Sequence, residues 1–298
     1  LLAFRAGLGI LGGFNNVSVA AITQLAPKER IAQIIGTLQS SQILTAAVGP
    51  FVGGILSQTI GIRNTFILTA GIIFCSALSI IFLYKDSESR SIRKTNVGAG
   101  KNEENYRKNP EYLLPMLILF AIQMTDRTYA PVLPLLLEDL GTPATRIALV
   151  SGTLFSLAAL GEAFSAWLSG RLASRIPVRQ LLMARLALGV AVLMPLALAQ
   201  SIVLFFFLRI VLALVAGGIL TLAFTAAGES IPKEHRGAGY GILSSALMFG
   251  GSIGPVVSGL LANLNIRAVF LFNLAVYFLL GVLVWRQRNR TITVLDGN

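Results

Sequence analysis

The sequence predicts an all-α membrane protein whose helices form two bundles. Three observations support this prediction. Of the 298 residues, 55% are hydrophobic and only 12% are charged, and the mean hydropathy is +0.76. Nine apolar segments reach the length of about 20 residues that a helix needs to cross a bilayer. One long charged segment separates the first three of these segments from the other six.

The predicted spans follow one another along the chain with short polar links between most of them. The long link, residues 85–111, carries many charges and no apolar run, which is typical of a solvated linker. We therefore expect a first bundle (1–84), a linker (85–111), a second bundle (112–286) and a tail (287–298). The nine spans cover residues 1–25, 32–58, 64–84, 112–137, 146–169, 178–199, 202–228, 238–263 and 266–286.

The formal net charge of +11 is explained by membrane topology. If consecutive helices alternate in direction, 18 basic side chains fall on one side, and only Arg63, Arg146 and Arg267 fall on the other. The positive-inside rule makes the richer side cytoplasmic. The sequence thus predicts a multi-pass protein of the plasma membrane, with its linker and C-terminus in the cytoplasm. The positive net charge therefore does not indicate nucleic acid as a partner.

The sequence contains few residues of the types that catalyse reactions or bind metals. The chain has one cysteine, Cys75, which excludes an internal disulfide, and one histidine, His235. No phosphate-binding loop, metal-ligand spacing or catalytic constellation is visible. We therefore predict no enzyme activity, no cofactor and no metal site. A membrane sensor or a membrane enzyme stays open as an alternative class of protein.

An internal repeat relates the two predicted bundles at an offset of 205 residues. Residues 27–29 and 232–234 both read PKE, and the pairs 49–50 and 254–255 are both Gly-Pro with a glycine four residues later. The repeat equates the first two spans with the seventh and eighth, so the unit holds six spans. We therefore expect a parent protein of twelve spans, with three of them preceding Leu1. Two parallel six-span repeats are an arrangement found in transporters.

Three motifs resemble those of the major facilitator superfamily, and most closely those of its twelve-span drug–proton antiporters. AVGPFVGGIL resembles the antiporter motif of the fifth span, and FRAGLGILGG resembles the fourth-span motif. SGRLASRIPVRQ resembles the gating loop of a bundle, although Ser174 and Pro177 replace the usual aspartate and glycine. The motif residues are Gly49, Pro50, Gly53 and Gly54, then Arg5, and in the loop Gly170, Arg171, Arg175 and Arg179.

The resemblance implies a major facilitator fold with nine of its twelve helices present. It also implies alternating access and proton-coupled efflux of small amphipathic compounds. A sugar or metabolite exporter or symporter of the same superfamily stays open. The predicted partners are membrane lipid, a small-molecule substrate and protons, and the predicted state is a monomer.

Charged side chains inside the spans are the best pointers to a transport pathway, because charge in hydrocarbon is costly. Asp126 lies slightly beyond the middle of the fourth span, and its neighbour Arg127 shares a helix face with Gln123. Pro131 and Pro134 follow and are expected to open the helix. Two interpretations stay open, a protonation and substrate site or an Asp–Arg cluster that locks helices together.

Glu162 and two arginines complete the intramembrane charges. Glu162 lies eight residues before Gly170, about 12 Å from the cytoplasmic end of its helix. It is a candidate for proton coupling or for an ion pair with an arginine such as Arg209. Arg209 is the repeat counterpart of Arg5, which the resemblance places near a proton-carrying carboxylate. The alternative for both arginines is snorkelling from a helix end.

Amides and aromatic rings supply weaker candidates for a substrate cavity. Amides in membrane helices hydrogen-bond a substrate or join neighbouring helices. Aromatic rings line a cavity, pack or face lipid. The candidates are Asn15, Asn16, Gln39, Gln42, Tyr129 and Tyr277.

Overall fold

The chain is helical throughout the part that the computed structural model describes, residues 30–83, 109–232 and 235–295. These residues form nine α-helices and no β-strand, which confirms the predicted fold class. The helices are α1 (Ile31–Thr59), α2 (Ile62–Leu83), α3 (Pro110–Arg127), α4 (Tyr129–Asp139), α5 (Ala144–Leu172), α6 (Val178–Ala197), α7 (Ile202–Ser230), α8 (Arg236–Leu264) and α9 (Ile266–Leu295).

Eight of the nine predicted spans correspond to helices of the described residues, and the first span, 1–25, lies outside them. The fourth span is divided at Thr128 into α3 and α4, close to the prolines that were expected to open it. Of the predicted linker, only residues 109–111 are described. Asn109 caps α3 there, because its side chain accepts a hydrogen bond of 3.0 Å from the Glu111 N–H. Helix α9 continues past the predicted end at 286.

Five of the described helices are long and apolar enough to cross a membrane. The division of the fourth span at Thr128 makes α4 too short to cross alone, so α3 and α4 together correspond to one predicted crossing. The five spans are Arg63–Phe82, Val178–Ala197, Ile202–Ser230, Arg236–Leu264 and Ile266–Gln287.

Helix α7 is the central helix of the predicted second bundle, since it packs against α3, α5 and α6. Its buried faces carry small side chains at Ala213, Gly217 and Gly218. Small residues let the backbones of membrane helices approach closely, which favours van der Waals packing where lipid supplies no hydrophobic driving force. Helix α3 packs mainly on α8, and α6 packs on α7 and α9.

A close crossing joins α1, from the predicted first bundle, to α5 of the second. A Cβ atom at Gly36 would lie 2.8 Å from the Ala166 carbonyl oxygen and 2.9 Å from Gly170 Cα. The two backbones are therefore in direct contact at what we call the Gly36–Gly170 crossing. Beside it, Gln33 Nε2 of α1 donates a hydrogen bond of 3.2 Å to Ser174 Oγ in the predicted gating loop.

Candidate functional site

The centre of the candidate site is the Arg209 guanidinium, which is buried within the second bundle. Arg209 is only 4% exposed. Its Nη2 atom lies 3.3 Å from Asp126 Oδ1 and 3.8 Å from Glu162 Oε1. The three side chains come from α7, α3 and α5, so three helices meet at one cation. We call these residues the charge triad.

The carboxylates of the charge triad are more accessible than its cation. The exposed fractions of the side chains are 31% for Asp126 and 19% for Glu162, against 5% for Arg209. When all three groups are ionised the triad carries one excess negative charge, and a proton on either carboxylate neutralises it. The burial and pairing of Arg209 do not fit the alternative interpretation as a snorkelling arginine.

Tyr129 covers another side of the cation. The Arg209 Cζ atom lies 4.4 Å from the centroid of the Tyr129 ring, a cation–π distance. The crevice beside this pair is too narrow to hold a water molecule. Arg209 is thus shielded from water on this side. The crevice is lined by Tyr129, Leu133, Leu154, Phe155, Ala158, Phe205 and Arg209.

Arg127 lies on a different face from the charge triad. Its side chain is exposed, and it shares with Gln123 the face of α3 that packs on α8. A Cβ atom at Gly251 of α8 would lie 3.3 Å from Gln123 Cγ and 3.7 Å from Arg127 Cγ. The ion pair of Asp126 is therefore formed with Arg209 of another helix and not with its neighbour in sequence.

The position of Glu162 along the axis of α7 is fixed by a contact between the backbones of α5 and α7. A Cβ atom at Gly217 would overlap the backbone of Glu162. One turn along α5, Ser165 Oγ donates a short hydrogen bond to the Leu214 carbonyl. Because both contacts involve backbone atoms, they fix the register of α5 on α7 independently of longer side chains.

Arg185 of α6 is a half-buried residue of the bundle, and it is one of the 18 basic side chains counted above for the cytoplasmic side. Its Nη1 donates to Ser165 Oγ at 2.6 Å and to the carbonyls of Leu214 and Val215 at 2.8 and 3.2 Å. No carboxylate pairs with it among the described residues. A Cβ atom at Gly218 would lie 2.6 Å from Arg185 Nε, so this glycine makes room for the guanidinium. The sequence feature that could have identified Arg185 as an interior residue is its position within an apolar run.

Three predicted residues, Arg5, Asn15 and Asn16, lie outside the described residues. Gln39 and Gln42 lie on α1 and are half-buried. Their roles as substrate ligands stay predictions. The residues of the predicted antiporter motif fall within α1, where only the backbone is described: Gly49, Pro50, Gly53 and Gly54.

Tyr277, a further candidate for the cavity, is buried and 3% exposed. Its ring packs so closely on Gly189 of α6 that a Cβ atom there would overlap it. Tyr277 thus forms part of the junction between α6 and α9 in this structure. Its contact with a substrate stays a prediction.

The predicted gating loop combines surface and packing contacts. Gly170 is part of the Gly36–Gly170 crossing, and the Arg171 guanidinium lies 4.1 Å from the centroid of the Trp167 ring. Arg175 is exposed. Arg179 Nη2 donates a hydrogen bond of 3.2 Å to the Val284 carbonyl, which ties the start of α6 to α9.

Apolar helices that converge on buried, mutually paired charges define a polytopic membrane protein with an internal polar centre. A model of the Major Facilitator Superfamily matches residues 1–121 and 115–295. The chain therefore belongs to the Major Facilitator Superfamily, as its motifs predicted.

Two similar proteins carry the name Multidrug resistance protein MdtG. The one from Yersinia enterocolitica is 29% identical over 271 residues, which cover 90% of this chain and 65% of that protein. The one from Klebsiella pneumoniae is 29% identical over 272 residues, which cover 91% of this chain and 66% of that protein. The chain thus spans about two thirds of the length of these relatives.

Two solved structures share the fold. A bacterial homologue of the iron transporter ferroportin, in an outward-facing state, has a TM-score of 0.69 with 16% identity, and the match covers 89% of this chain and 66% of that one. The human organic anion transporter MFSD10 has a TM-score of 0.70 with 16% identity, covering 95% of this chain and 70% of that one. At this identity the two structures establish the fold alone. The family of the chain and the names of its relatives are those of transporters and not of enzymes, in agreement with the prediction of no enzyme activity.

Proposed function

We propose that the full-length protein is a secondary active transporter that exports small amphipathic compounds in exchange for protons. The observation that supports this most directly is the charge triad, in which Arg209 lies within 4 Å of two partly accessible carboxylates. The similarity to two proteins named for multidrug resistance supports the substrate class.

The charge balance of the triad is suited to proton coupling. A buried charge is tolerated when it is paired, and an uncompensated one is costly. Binding one proton to Asp126 or Glu162 changes the net charge of the triad from minus one to zero. In this proposal a proton reaches either carboxylate from its exposed side, while Arg209 stays covered by Tyr129. Proton binding and release therefore change the electrostatics of the bundle centre.

The proposed mechanism is alternating access by two bundles, residues 1–84 and 112–286, joined by the linker 85–111. In this proposal the Gly36–Gly170 crossing closes one end of the pathway. The gating loop next to it takes part through Ser174, and the antiporter motif in α1 packs the bundles together. We place the protein in the plasma membrane as a monomer, with the linker and the tail 287–298 in the cytoplasm.

The test is proton-driven transport by the full-length protein in proteoliposomes. The substrates are fluorescent amphipathic dyes, and a second, pH-sensitive dye reports proton movement. Asp126→Asn and Glu162→Gln should each lower proton-driven transport by about tenfold or more, which corresponds to a loss of only about 1.4 kcal/mol of coupling free energy. The matched controls, Asp139→Asn and Glu138→Gln, change exposed carboxylates at the end of α4 and should transport normally.

Either of two results would contradict the proposal. The first is full proton-driven transport by both triad variants. The second is dye movement in the wild-type protein that does not depend on a proton gradient at all.

A further inference from the structure

The break between α3 and α4 lies at Thr128, deep inside the bundle. Thr128 has no exposed surface. Its N–H makes a bond of 3.3 Å to the Thr125 carbonyl, and its Oγ1 donates to the same carbonyl at 2.7 Å. Pro131 follows within one turn and supplies no N–H for the Arg127 carbonyl. The helix thus changes its hydrogen bonding at a place that water does not reach.

Two side chains from other helices hold this break. Ser258 Oγ of α8 donates a hydrogen bond of 2.7 Å to the Thr128 carbonyl. Asn273 Nδ2 of α9 donates a hydrogen bond of 2.9 Å to Thr128 Oγ1. Ser258 and Asn273 are also fully buried. We call these three residues the Thr128 clamp.

The break separates two residues that hold the same cation. Asp126, which lies before the break, contacts Arg209 Nη2 at 3.3 Å. Tyr129, which lies directly after it, places its ring 4.4 Å from Arg209 Cζ. The geometry of the break at Thr128 therefore sets where the Tyr129 ring lies relative to the Asp126 carboxylate around the guanidinium.

Packing alone does not account for Asn273. Its Oδ1 atom is buried and receives no hydrogen bond of acceptable geometry. A buried polar atom without a partner destabilises a fold, and an apolar side chain of similar size would avoid that cost. The Asn273 side chain serves two residues at the break, because its Nδ2 donates to Thr128 Oγ1 and it also interacts with the Tyr129 hydroxyl.

We propose that Ser258 and Asn273 are positioning residues, which hold the helix break at Thr128 and thereby place Asp126 and Tyr129 around Arg209. For its effect on transport this inference rests on the proposed function. Its structural part, that the two side chains stabilise the break, does not.

The structural part is tested by hydrogen exchange of the full-length protein. In Ser258→Ala, the amides of residues 128–130, 132, 133 and 135 should exchange roughly fivefold faster, the factor expected for the loss of one typical hydrogen bond. Asn273→Leu should have a similar effect. Ser252→Ala is the matched control, because Ser252 lies on the same helix and donates only to Met248 of its own helix at 3.0 Å. Equal amide exchange rates in Ser258→Ala and Ser252→Ala would overturn the proposal that the Thr128 clamp stabilises the break.

The functional part is tested by the pH profile of dye transport in proteoliposomes. A displaced Asp126 changes the interaction of the triad with protons, so the midpoint of the profile should shift by about half a pH unit or more, a threefold change in proton affinity. Ser258→Thr keeps the hydroxyl and should restore the wild-type midpoint. A merely structural serine would lower the amount of active protein and leave the midpoint unchanged.

The outcomes separate the two proposals. Faster exchange with an unchanged midpoint would overturn the positioning role and leave a local structural one. A wild-type protein without proton-dependent transport would refute the proposed function and with it the functional part. The exchange measurement would still decide whether the clamp stabilises the break.

Discussion

Replacing Arg209 by methionine should destabilise the protein strongly. Asp126 and Glu162 would then face each other without the cation that lies 3.3 and 3.8 Å from them. A single pair of unit charges at about 4 Å contributes about 4 kcal/mol at an effective dielectric constant near 20. Removing one partner of a buried ion pair costs about 3–5 kcal/mol, because the remaining charge loses its compensation.

The measurement is thermal unfolding of the full-length protein in detergent. A loss of about 3–5 kcal/mol corresponds to a melting temperature lower by roughly 6–20 °C, at the 2–4 °C per kcal/mol typical of a domain of about 150–250 residues. The difference should narrow at low pH, since protonation removes the uncompensated negative charges. Arg267→Met is the control, because Arg267 is exposed at the start of α9.

A triple variant separates loss of charge pairing from loss of packing. Arg209→Met combined with Asp126→Asn and Glu162→Gln leaves no buried charge at the centre, and it should recover most of the lost stability. The electrostatic account would be wrong if the Arg209→Met variant had the same melting temperature as the wild-type protein. It would also be wrong if the triple variant were as unstable as the single one.

Two further predictions concern the Gly36–Gly170 crossing and Arg185. Gly36→Val should abolish transport while the protein still inserts into the membrane, because its side chain would enter the backbone of α5; Gly71→Val, where a Cβ atom meets nothing within 4 Å, should transport normally. Transport at wild-type rate by Gly36→Val in vesicles with equal protein content would contradict this. Arg185→Lys keeps the charge, but the lysine ammonium ends at the position of Cζ, one bond short of the Nη1 atom that makes all three hydrogen bonds. We expect it to melt at a temperature lower by several degrees, roughly the effect of 1–3 kcal/mol, and an unchanged melting temperature would show that those bonds contribute little.

The helices of this fold could be predicted because the length of an apolar segment can be read directly from the local sequence. Eight predicted spans recur as helices, with ends that differ by a few residues. The break was located only approximately. Pro131 and Pro134 indicated an opening, and the opening occurs at Thr128, because a proline disturbs the hydrogen bonds of the turn before it.

The partners of the charged residues could be predicted only in part. An ion pair between Glu162 and Arg209 was foreseen as one possibility, since charges in apolar helices need partners. The pairing of Asp126 with Arg209 was not foreseen, because the partner of a side chain depends on how distant helices pack. Arg185 was missed for the same reason, since the carbonyls it binds become accessible only where Gly218 leaves room.

The glycine contact at Gly217 has a consequence for how such a protein can change over evolution. Glu162 is held at its height by backbone atoms, and the apolar crevice next to Arg209 is lined by side chains such as Leu154 and Phe205. Substitutions that shorten the lining side chains can therefore open this closed crevice, while the backbone contact at Gly217 keeps Glu162 in place opposite Arg209. The apolar side chains beside the cation and the carboxylate opposite it can therefore change independently of each other in the course of evolution.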